Sequence, residues 1–309
     1  MKKSFVKFLA GCVFFTILLT ICGGVVGSAS AAKAPGDIVI GVSLLTREHV
    51  FYNLVEEAMI AKAKELGIKL IVMDGQQDSS VQYSQIQDFV TQGVDGVILA
   101  AASSAGSKAA IEVAQKENIP VATVGTKTDG NPETHFQTDE WAGGELAGKY
   151  AAKALDGKGE VAIITYDEIE PCVDRAEGFK SIFKDYPEIK VVDEQNYQGE
   201  AEKAATIAQD FITKHPNLKL VFAVGDPAAI GAYTTFNAAK KDIKIIGYDG
   251  NPEGINEIKK RGIWIADVAQ DPAGLGGGTV QAVVDIISGK TVSKEVLLTP
   301  YMIDADNVK

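Results

Sequence analysis

Short apolar runs alternate with amphipathic stretches along almost the whole chain after residue 37. The apolar runs are rich in β-branched residues and have the length of strands buried on both faces of a sheet. In chain order, the predicted strands are Ile38–Ser43, Lys69–Met73, Gly96–Ala101, Pro120–Val124, Glu160–Thr165, Lys190–Glu194, Leu218–Val224, Ile243–Gly247 and Trp264–Val268.

Helical patterns separate these strands. They cover residues 51–66, 80–92, 104–117, 140–156, 173–185, 199–214, 226–239, 252–261 and 272–288. Regular strand–helix alternation predicts βαβ units and parallel sheets, and this many strands exceed one comfortable sheet. The predicted fold class is therefore α/β, with two doubly wound parallel-sheet lobes joined by a hinge that the chain crosses several times.

A turn-rich patch at 128–132 marks the first passage between the lobes. The cleft between two such lobes is the default place for a ligand. The predicted lobes are an N-terminal one, 33–137 plus 271–293, and a C-terminal one, 138–270 plus 294–309.

The first 32 residues have the pattern of an export signal. Three lysines precede the apolar run Phe8–Val26, and small residues follow it at 28–32. This order predicts a secretory signal peptide cleaved after Ala31 or Ala32. An uncleaved membrane anchor is the alternative, because the run nearly reaches the length that spans a bilayer.

The segment Leu9–Cys12 is similar to a lipoprotein cleavage box, but cleavage there would leave most of the apolar run behind it. We therefore expect a soluble, exported protein without a lipid anchor. The formal net charge is −11, and removal of the signal lysines makes the chain still more acidic. Such acidity argues against nucleic acid and anionic membranes as partners.

Two polar residues stand directly after predicted strands. Asp249 follows the run that ends at Gly247, and Gln270 follows the run that ends at Val268. The carboxyl ends of parallel strands are where ligands bind, so we expect both side chains to contact a small hydroxyl-rich molecule. The alternative is that Asp249 caps the helix that opens at Pro252.

The sequence carries no catalytic signature, and neither a Gly-x-Ser-x-Gly elbow nor a phosphate-binding loop is present. The glycines at 274–278 lie within a helical pattern, which favours close helix packing over a dinucleotide site. The three histidines have no metal-ligand spacing. Cys172, the only cysteine outside the signal segment, can form no internal disulfide and is expected to be inert. No enzymatic activity, cofactor or metal is expected.

Several ordered segments spread over both predicted lobes carry a family resemblance. They are Ile38–Ser43, Asn118–Val121, Thr138–Glu140 with Gly143–Gly144, Arg175–Phe179, Val221–Ala223 with Asp226, Gly247–Gly250 and Ala269–Gln270. Together they resemble the periplasmic solute-binding proteins of the ribose-binding type, with the type I fold, which are the substrate-capture subunits of ABC importers. The resemblance covers nearly the whole mature chain.

The resemblance implies a set of ligand contacts. Phe51, with Val50 or Tyr52, falls where the family stacks an aromatic ring on the apolar face of a sugar. The other matching positions are Ser43, Arg175, Tyr197, Asp249 and Gln270.

Three of these positions have a purely structural alternative. Phe51 could belong to a helix core face, Tyr197 could be a surface aromatic, and Arg175 could pair with Asp174 or Glu177.

Two departures from the family pattern weaken the sugar assignment. Gly125 and Thr126 stand where the ribose type carries an Asp-Arg clamp, and Gly225 stands where it usually carries asparagine. Each missing partner would leave a sugar hydroxyl unsatisfied, at roughly 1–3 kcal/mol. The ligand is then bulkier or less hydroxylated, or Arg47, Thr126 and Lys127 supply the missing contacts.

The predicted function is capture of a small hydroxylated ligand, a sugar or polyol, by lobe closure, for delivery to an ABC permease in the membrane. The protein is expected to be a monomer. One alternative keeps the scaffold but binds a nucleoside or furanone-like signal and serves a membrane sensor. A secreted enzyme and a lac-repressor-type regulator are further alternatives, opposed by the missing nucleophile–base pair and by the export signal.

Overall fold

The computed structural model describes residues 33–308. The predicted signal peptide, 1–32, with its candidate lipoprotein box, lies outside the described residues and stays a prediction. Among the helices of the described range, none combines the length and hydropathy that crossing a bilayer requires.

Two six-stranded sheets form the framework of the protein. The first has the order β11-β5-β4-β3-β1-β2 and is parallel throughout, and the second has the order β12-β10-β9-β8-β6-β7. Only the edge strand β12 runs antiparallel, to β10. The strands are β1 Val39–Leu44, β2 Lys69–Asp74, β3 Gly96–Leu99, β4 Val121–Val124, β5 Thr134–Thr138, β6 Lys158–Thr165, β7 Glu188–Asn196, β8 Leu218–Ala223, β9 Lys244–Asp249, β10 Trp264–Ala269, β11 Glu295–Leu298 and β12 Tyr301–Asp304.

Helices cover both faces of each sheet, as doubly wound folds require. The first lobe carries α1 Val50–Leu66, α2 Ser79–Gln92, α3 Lys108–Lys116 and α9 Pro272–Ile287. The second lobe carries α4 Glu140–Ala154, α5 Glu170–Ser181, α6 Ala201–Lys214, α7 Asp226–Ala238 and α8 Pro252–Lys259. The prediction of two parallel-sheet α/β lobes is confirmed.

Local signals in the sequence fix the helix ends near the cleft. His49 is the N-cap of α1, and its Nδ1 accepts the backbone N–H of Phe51 at 3.2 Å. Asp78 caps α2 by accepting the N–H groups of Ser80 and Val81. Side-chain caps satisfy donors that the first helical turn leaves free, so these loops hold a defined geometry beside the cleft.

The lobe boundary predicted near the C-terminus is wrong. Residues 294–309 were assigned as one piece to the second lobe, but β11 pairs in parallel with β5 of the first sheet. The chain crosses to the second lobe only after Leu298, where β12 joins β10. Strand β11 alternates between exposed and half-buried residues and therefore lacks the buried apolar run that marks the other strands.

Three segments connect the lobes, after β5, after β10 and between β11 and β12. They hydrogen-bond to one another, since the N–H of Asp139 donates to the carbonyl of Leu298 at 2.8 Å. The Thr138 hydroxyl donates to Oε1 of Gln270 at 2.6 Å. The crossings therefore form one connected hinge.

Candidate functional site

A cavity of about 340 Å³ lies between the two lobes, at the carboxyl ends of the strands. First-lobe residues that line it include Leu45, Thr46, Glu48, His49, Phe51, Tyr52, Gln77 and Gly125. Second-lobe residues that line it include Glu140, Tyr166, Ile169, Pro171, Cys172, Arg175, Tyr197, Glu200, Glu202, Gly225, Asp249 and Gln270. The size and mixed lining are those of a small-molecule site.

Asp249 provides a buried carboxylate at the end of β9, with a side chain only 2% exposed. Its Oδ1 accepts from Nε2 of Gln270 at 2.7 Å and lies 3.4 Å from Nη1 of Arg175. Its Oδ2 accepts from the backbone N–H of Asp226 at 3.1 Å and lies 3.3 Å from Nε2 of His49. Burial raises the pKa of Asp249, but His49, Arg175 and the Asp226 N–H outweigh it and hold this pKa below its usual value.

The backbone of Asp249 has a φ angle of 124°, which residues other than glycine rarely adopt. Strain of this kind persists only where surrounding contacts hold it in place, and it concentrates at functional sites. The proposed capping role at Pro252 is wrong. The N-cap of α8 is Asn251, without a side-chain cap bond, and the Asp249 carboxylate accepts from the start of α7 instead.

Arg175 is almost fully engaged within the protein. Its guanidinium makes a two-point contact with Glu140, with Nε to Oε2 at 2.7 Å and Nη2 to Oε1 at 3.0 Å. Nη1 donates to the carbonyl of Val224 at 2.8 Å, and the guanidinium carbon lies 3.8 Å from the centre of the Tyr248 ring. Desolvation opposes the charge, but Glu140 outweighs it and raises the pKa of Arg175. The alternative that Arg175 pairs with Asp174 or Glu177 is therefore wrong, because the partner is Glu140.

Aromatic rings from both lobes line the cavity. Phe51 and Tyr52 of the first lobe meet edge to face at 5.3 Å between centroids, and Tyr166 and Tyr197 of the second lobe do so at 5.6 Å. Aromatic faces suit the apolar side of a small ring, whose polar groups then need partners in its plane.

The cavity brings five of the eight predicted residues together: Phe51, Arg175, Tyr197, Asp249 and Gln270. Three others, Ser43, Arg47 and Thr126, lie outside its lining, so their ligand contact stays a prediction that this geometry does not support. Ser43 is buried and donates to Oε1 of Gln85, which lies on α2, at 2.7 Å. Arg47 turns away to pair with Glu56, with N–O distances of 2.9 and 2.6 Å.

Thr126 is 1% exposed and does not line the cavity either. Lys127, considered beside it, lies 3.4 Å from Glu295 in an exposed ion pair. Neither Thr126 nor Lys127 lines the cavity in place of the Asp-Arg clamp of the ribose type. Sequence reasoning missed His49 and Glu140, because neither stands directly at the end of a strand. His49 lies five residues after β1 ends at Leu44, and Glu140 lies two residues after β5 ends at Thr138. Both stand where the helix after a strand begins, which is the signal that could have identified them.

Two more buried carboxyl groups lie behind Asp249. Asp226 accepts the N–H of Asn251 at 2.8 Å, and Asp267 accepts the N–H of Gly250 at 2.9 Å. Burial, with the neighbouring carboxylates, raises the pKa of Asp226 well above its usual range, and burial raises the pKa of Asp267 to about 7. A Cβ added to Gly247 would lie 2.3 Å from Oδ2 of Asp267 and 2.8 Å from Oδ1 of Asp226. These two carboxyl oxygens therefore both face the space beside Gly247. One proton shared between them fits this geometry.

Within residues 33–308, no group of three or more histidine, cysteine or acidic side chains is placed to hold a metal ion. Cys172 lines the cavity, and burial raises the pKa of its thiol to about 12. A thiol in this state is a poor nucleophile.

Comparison with known proteins agrees with the fold. The profile of the periplasmic binding protein domain family matches residues 40–291. The ribose import binding protein RbsB of Bacillus subtilis (strain 168) is 32% identical over 84% of this chain and 85% of its own length.

Two solved structures overlap most of the chain. One is an ABC transporter solute binding protein from Mycobacterium smegmatis with bound glycerol, 27% identical, with a TM-score of 0.84 over 88% of this chain and 95% of that chain. The other is the Caulobacter myo-inositol binding protein bound to myo-inositol, 26% identical, with a TM-score of 0.83 over 88% and 94%. The chain belongs to the periplasmic binding protein family, and it resembles the ribose-binding type within it.

Proposed function

We propose that this protein is an exported solute-binding subunit that captures a small sugar or polyol between its lobes for an ABC importer. The observation that carries the proposal is the interlobe cavity, with the buried Asp249 carboxylate at its floor and aromatic rings from both lobes on its walls. Relatives named for import or binding of ribose and myo-inositol support the ligand class.

Ligand capture works by closure of the lobes. Groups of both lobes contact the same cavity, so a ligand inside it interacts with both only when the cleft is closed. The closed state is then favoured by differential affinity. A membrane permease would recognise this closed form. The protein acts as a periplasmic monomer and leaves the covalent bonds of its ligand unchanged.

A thermal-shift panel tests the proposal. The mature protein is heated with D-ribose, D-allose, myo-inositol, xylitol and glycerol, and with adenosine and uridine as non-sugar probes. A ligand at 100 times its Kd stabilises the fold by about 2.7 kcal/mol, so at least one sugar or polyol should raise the unfolding midpoint clearly. A shift with a nucleoside alone would contradict the ligand class, and mass analysis of the incubated solute would reveal any reaction.

A further inference from the structure

Two tyrosine hydroxyls face the cavity without a hydrogen-bond partner among residues 33–308. Tyr52 lies on the first turn of α1 in the first lobe, and Tyr197 follows β7 in the second. The residues are 7% and 2% exposed. The side chains are buried, but the hydroxyl oxygens themselves reach the open cavity. Both hydroxyls are therefore available to a ligand.

The other polar groups at the cavity floor are already occupied. Asp249 holds contacts to Gln270, Arg175, His49 and the N–H of Asp226. Gln270 also accepts from the hinge residue Thr138. A ligand hydroxyl can share these groups, but most of their donors and acceptors already have partners within the protein.

The two hydroxyls border the glycines that depart from the ribose-type pattern. A Cβ added to Gly125 would lie 3.5 Å from the Tyr52 oxygen. A Cβ added to Gly225 would lie 3.6 Å from the Tyr197 oxygen and 3.5 Å from Oδ2 of Asp249. The phenols thus reach the space where side chains at these two positions would start.

We propose that Tyr52 and Tyr197 determine ligand specificity, each hydrogen-bonding a hydroxyl of a neutral sugar or polyol in place of side chains absent at 125 and 225. The inference rests on the proposed function. A phenol both donates and accepts, as a ligand hydroxyl does. Burial raises the pKa of both tyrosines, so both remain protonated donors.

The charged residues that line the cavity favour a neutral ligand over an anionic one. Glu48, Glu200 and Glu202 line the cavity as exposed carboxylates, and the Arg175 guanidinium is paired with Glu140. A carboxylated or phosphorylated ligand would face these carboxylates without an unpaired cation. Sugar acids and sugar phosphates should therefore be rejected.

The test compares Tyr52→Phe, Tyr197→Phe and the double variant by calorimetry. The neutral probes are D-ribose, D-allose, myo-inositol and xylitol, and the anionic probes are D-gluconate and D-ribose 5-phosphate. Each single variant should bind the best neutral probe about 10-fold more weakly, as expected for loss of one buried hydrogen bond. The ring remains, so the unfolding midpoint without ligand should be unchanged. The control is Tyr186→Phe, an exposed tyrosine outside the cavity lining, which should not change affinity.

Two outcomes would overturn the inference while leaving the proposed function intact. One is neutral-probe affinity within twofold of wild type in both single variants. The other is tighter binding of D-ribose 5-phosphate than of D-ribose, or of D-gluconate than of every neutral probe. Failure of every neutral probe to bind the wild-type protein would instead refute the proposed function, and the inference with it.

Discussion

Buried charge at the site is compensated residue by residue. The Arg175–Glu140 pair has side chains 8% and 3% exposed, whereas Arg47 and Glu56 form a similar pair at the surface with Arg47 43% exposed. Removing one partner of a buried pair strands an uncompensated charge, while an exposed pair contributes little. The two pairs are thus chemically similar, but loss of one partner destabilises the fold far more in the buried pair.

We expect Glu140→Gln to lower the free energy of unfolding by about 3–5 kcal/mol, because Arg175 would lose its two-point carboxylate partner and keep only the 3.4 Å contact with Asp249. Urea unfolding measures the change. The matched control, Glu56→Gln, should cost less than about 1 kcal/mol. Equal effects of the two variants would contradict the importance of the buried pair.

The Asp226–Asp267 pair predicts a specific pH dependence. The pKa of Asp267 is raised to about 7, so the folded state holds a proton that the unfolded chain releases near pH 4. This contribution is fully present below pH 4 and is lost as pH rises towards and through 7. At about 1.4 kcal/mol for each pH unit, the total is on the order of 4 kcal/mol.

Asp267→Asn should remove this dependence, because an amide can donate to Asp226 at any pH. The difference in unfolding free energy between wild type and variant should therefore change steadily from pH 4 to pH 8, in favour of the variant. Asp242→Asn, whose side chain is 79% exposed, serves as control and should give a constant difference. A constant difference for Asp267→Asn would rule out the raised pKa of Asp267.

At the scale of elements, the sequence predicts the central strands and helices well, because buried β-branched runs and helical periodicity both report on the core. Helix α5 begins at Glu170, ahead of the predicted 173, and α3 begins at Lys108, after the predicted 104. Strands β11 and β12 are absent from the predicted strands, since their residues of mixed exposure form no buried apolar run. The buried strand β5 is absent too, because Thr134–Thr138 is mostly polar, whereas the edge strand β2 has an apolar run and is predicted. The sequence signal therefore follows apolar runs rather than the position of a strand in its sheet.

The glycine-rich stretch of α9 does serve helix packing. A Cβ on Gly276 would lie 2.4 Å from the carbonyl oxygen of Val55 and 3.2 Å from the backbone nitrogen of Met59, both on α1. A Cβ on Gly277 would lie 3.8 Å from Lys62, which is ordinary contact. Of these two glycines, only Gly276 is required for the close approach of α1 and α9.

Gly276→Ala should therefore destabilise the protein by about 1–3 kcal/mol through overpacking. The neighbouring Gly277→Ala should be neutral or stabilising by up to about 1 kcal/mol, because alanine favours the helix. Thermal unfolding of the two variants gives the comparison. A stabilising Gly276→Ala would show that α1 and α9 separate easily.

At the scale of the whole molecule, the two-lobe architecture was predictable from strand–helix alternation, but the cavity lining was not. Ser43 and Arg47 stand in sequence where ligand contacts are expected, yet they bond to Gln85 and Glu56. Side-chain direction depends on partners distant in sequence, such as Glu140 for Arg175. Sequence position locates a strand mouth, but not which side chain enters the cleft.

Closure should be visible in solution. The two lobes meet at the edge of the cavity, where Oε1 of Gln77 in the first lobe lies 3.5 Å from the hydroxyl of Tyr166 in the second. A Cβ added to Gly199 would lie 2.7 Å from the same oxygen. We expect the radius of gyration from small-angle scattering to fall when a sugar or polyol that stabilises the protein is added. Asp249→Ala, at the same ligand concentration, should show a smaller decrease. An identical radius with and without saturating ligand would contradict closure.

The last two strands have a consequence for biosynthesis. Strand β11 completes the edge of the first sheet and β12 the edge of the second, and only two residues separate them. A nascent polypeptide therefore lacks the border strand of the first sheet until residue 298 has been made, and that of the second sheet until residue 304 has been made. Neither half can reach its final form early, so acquisition of the native state waits for synthesis of these two strands.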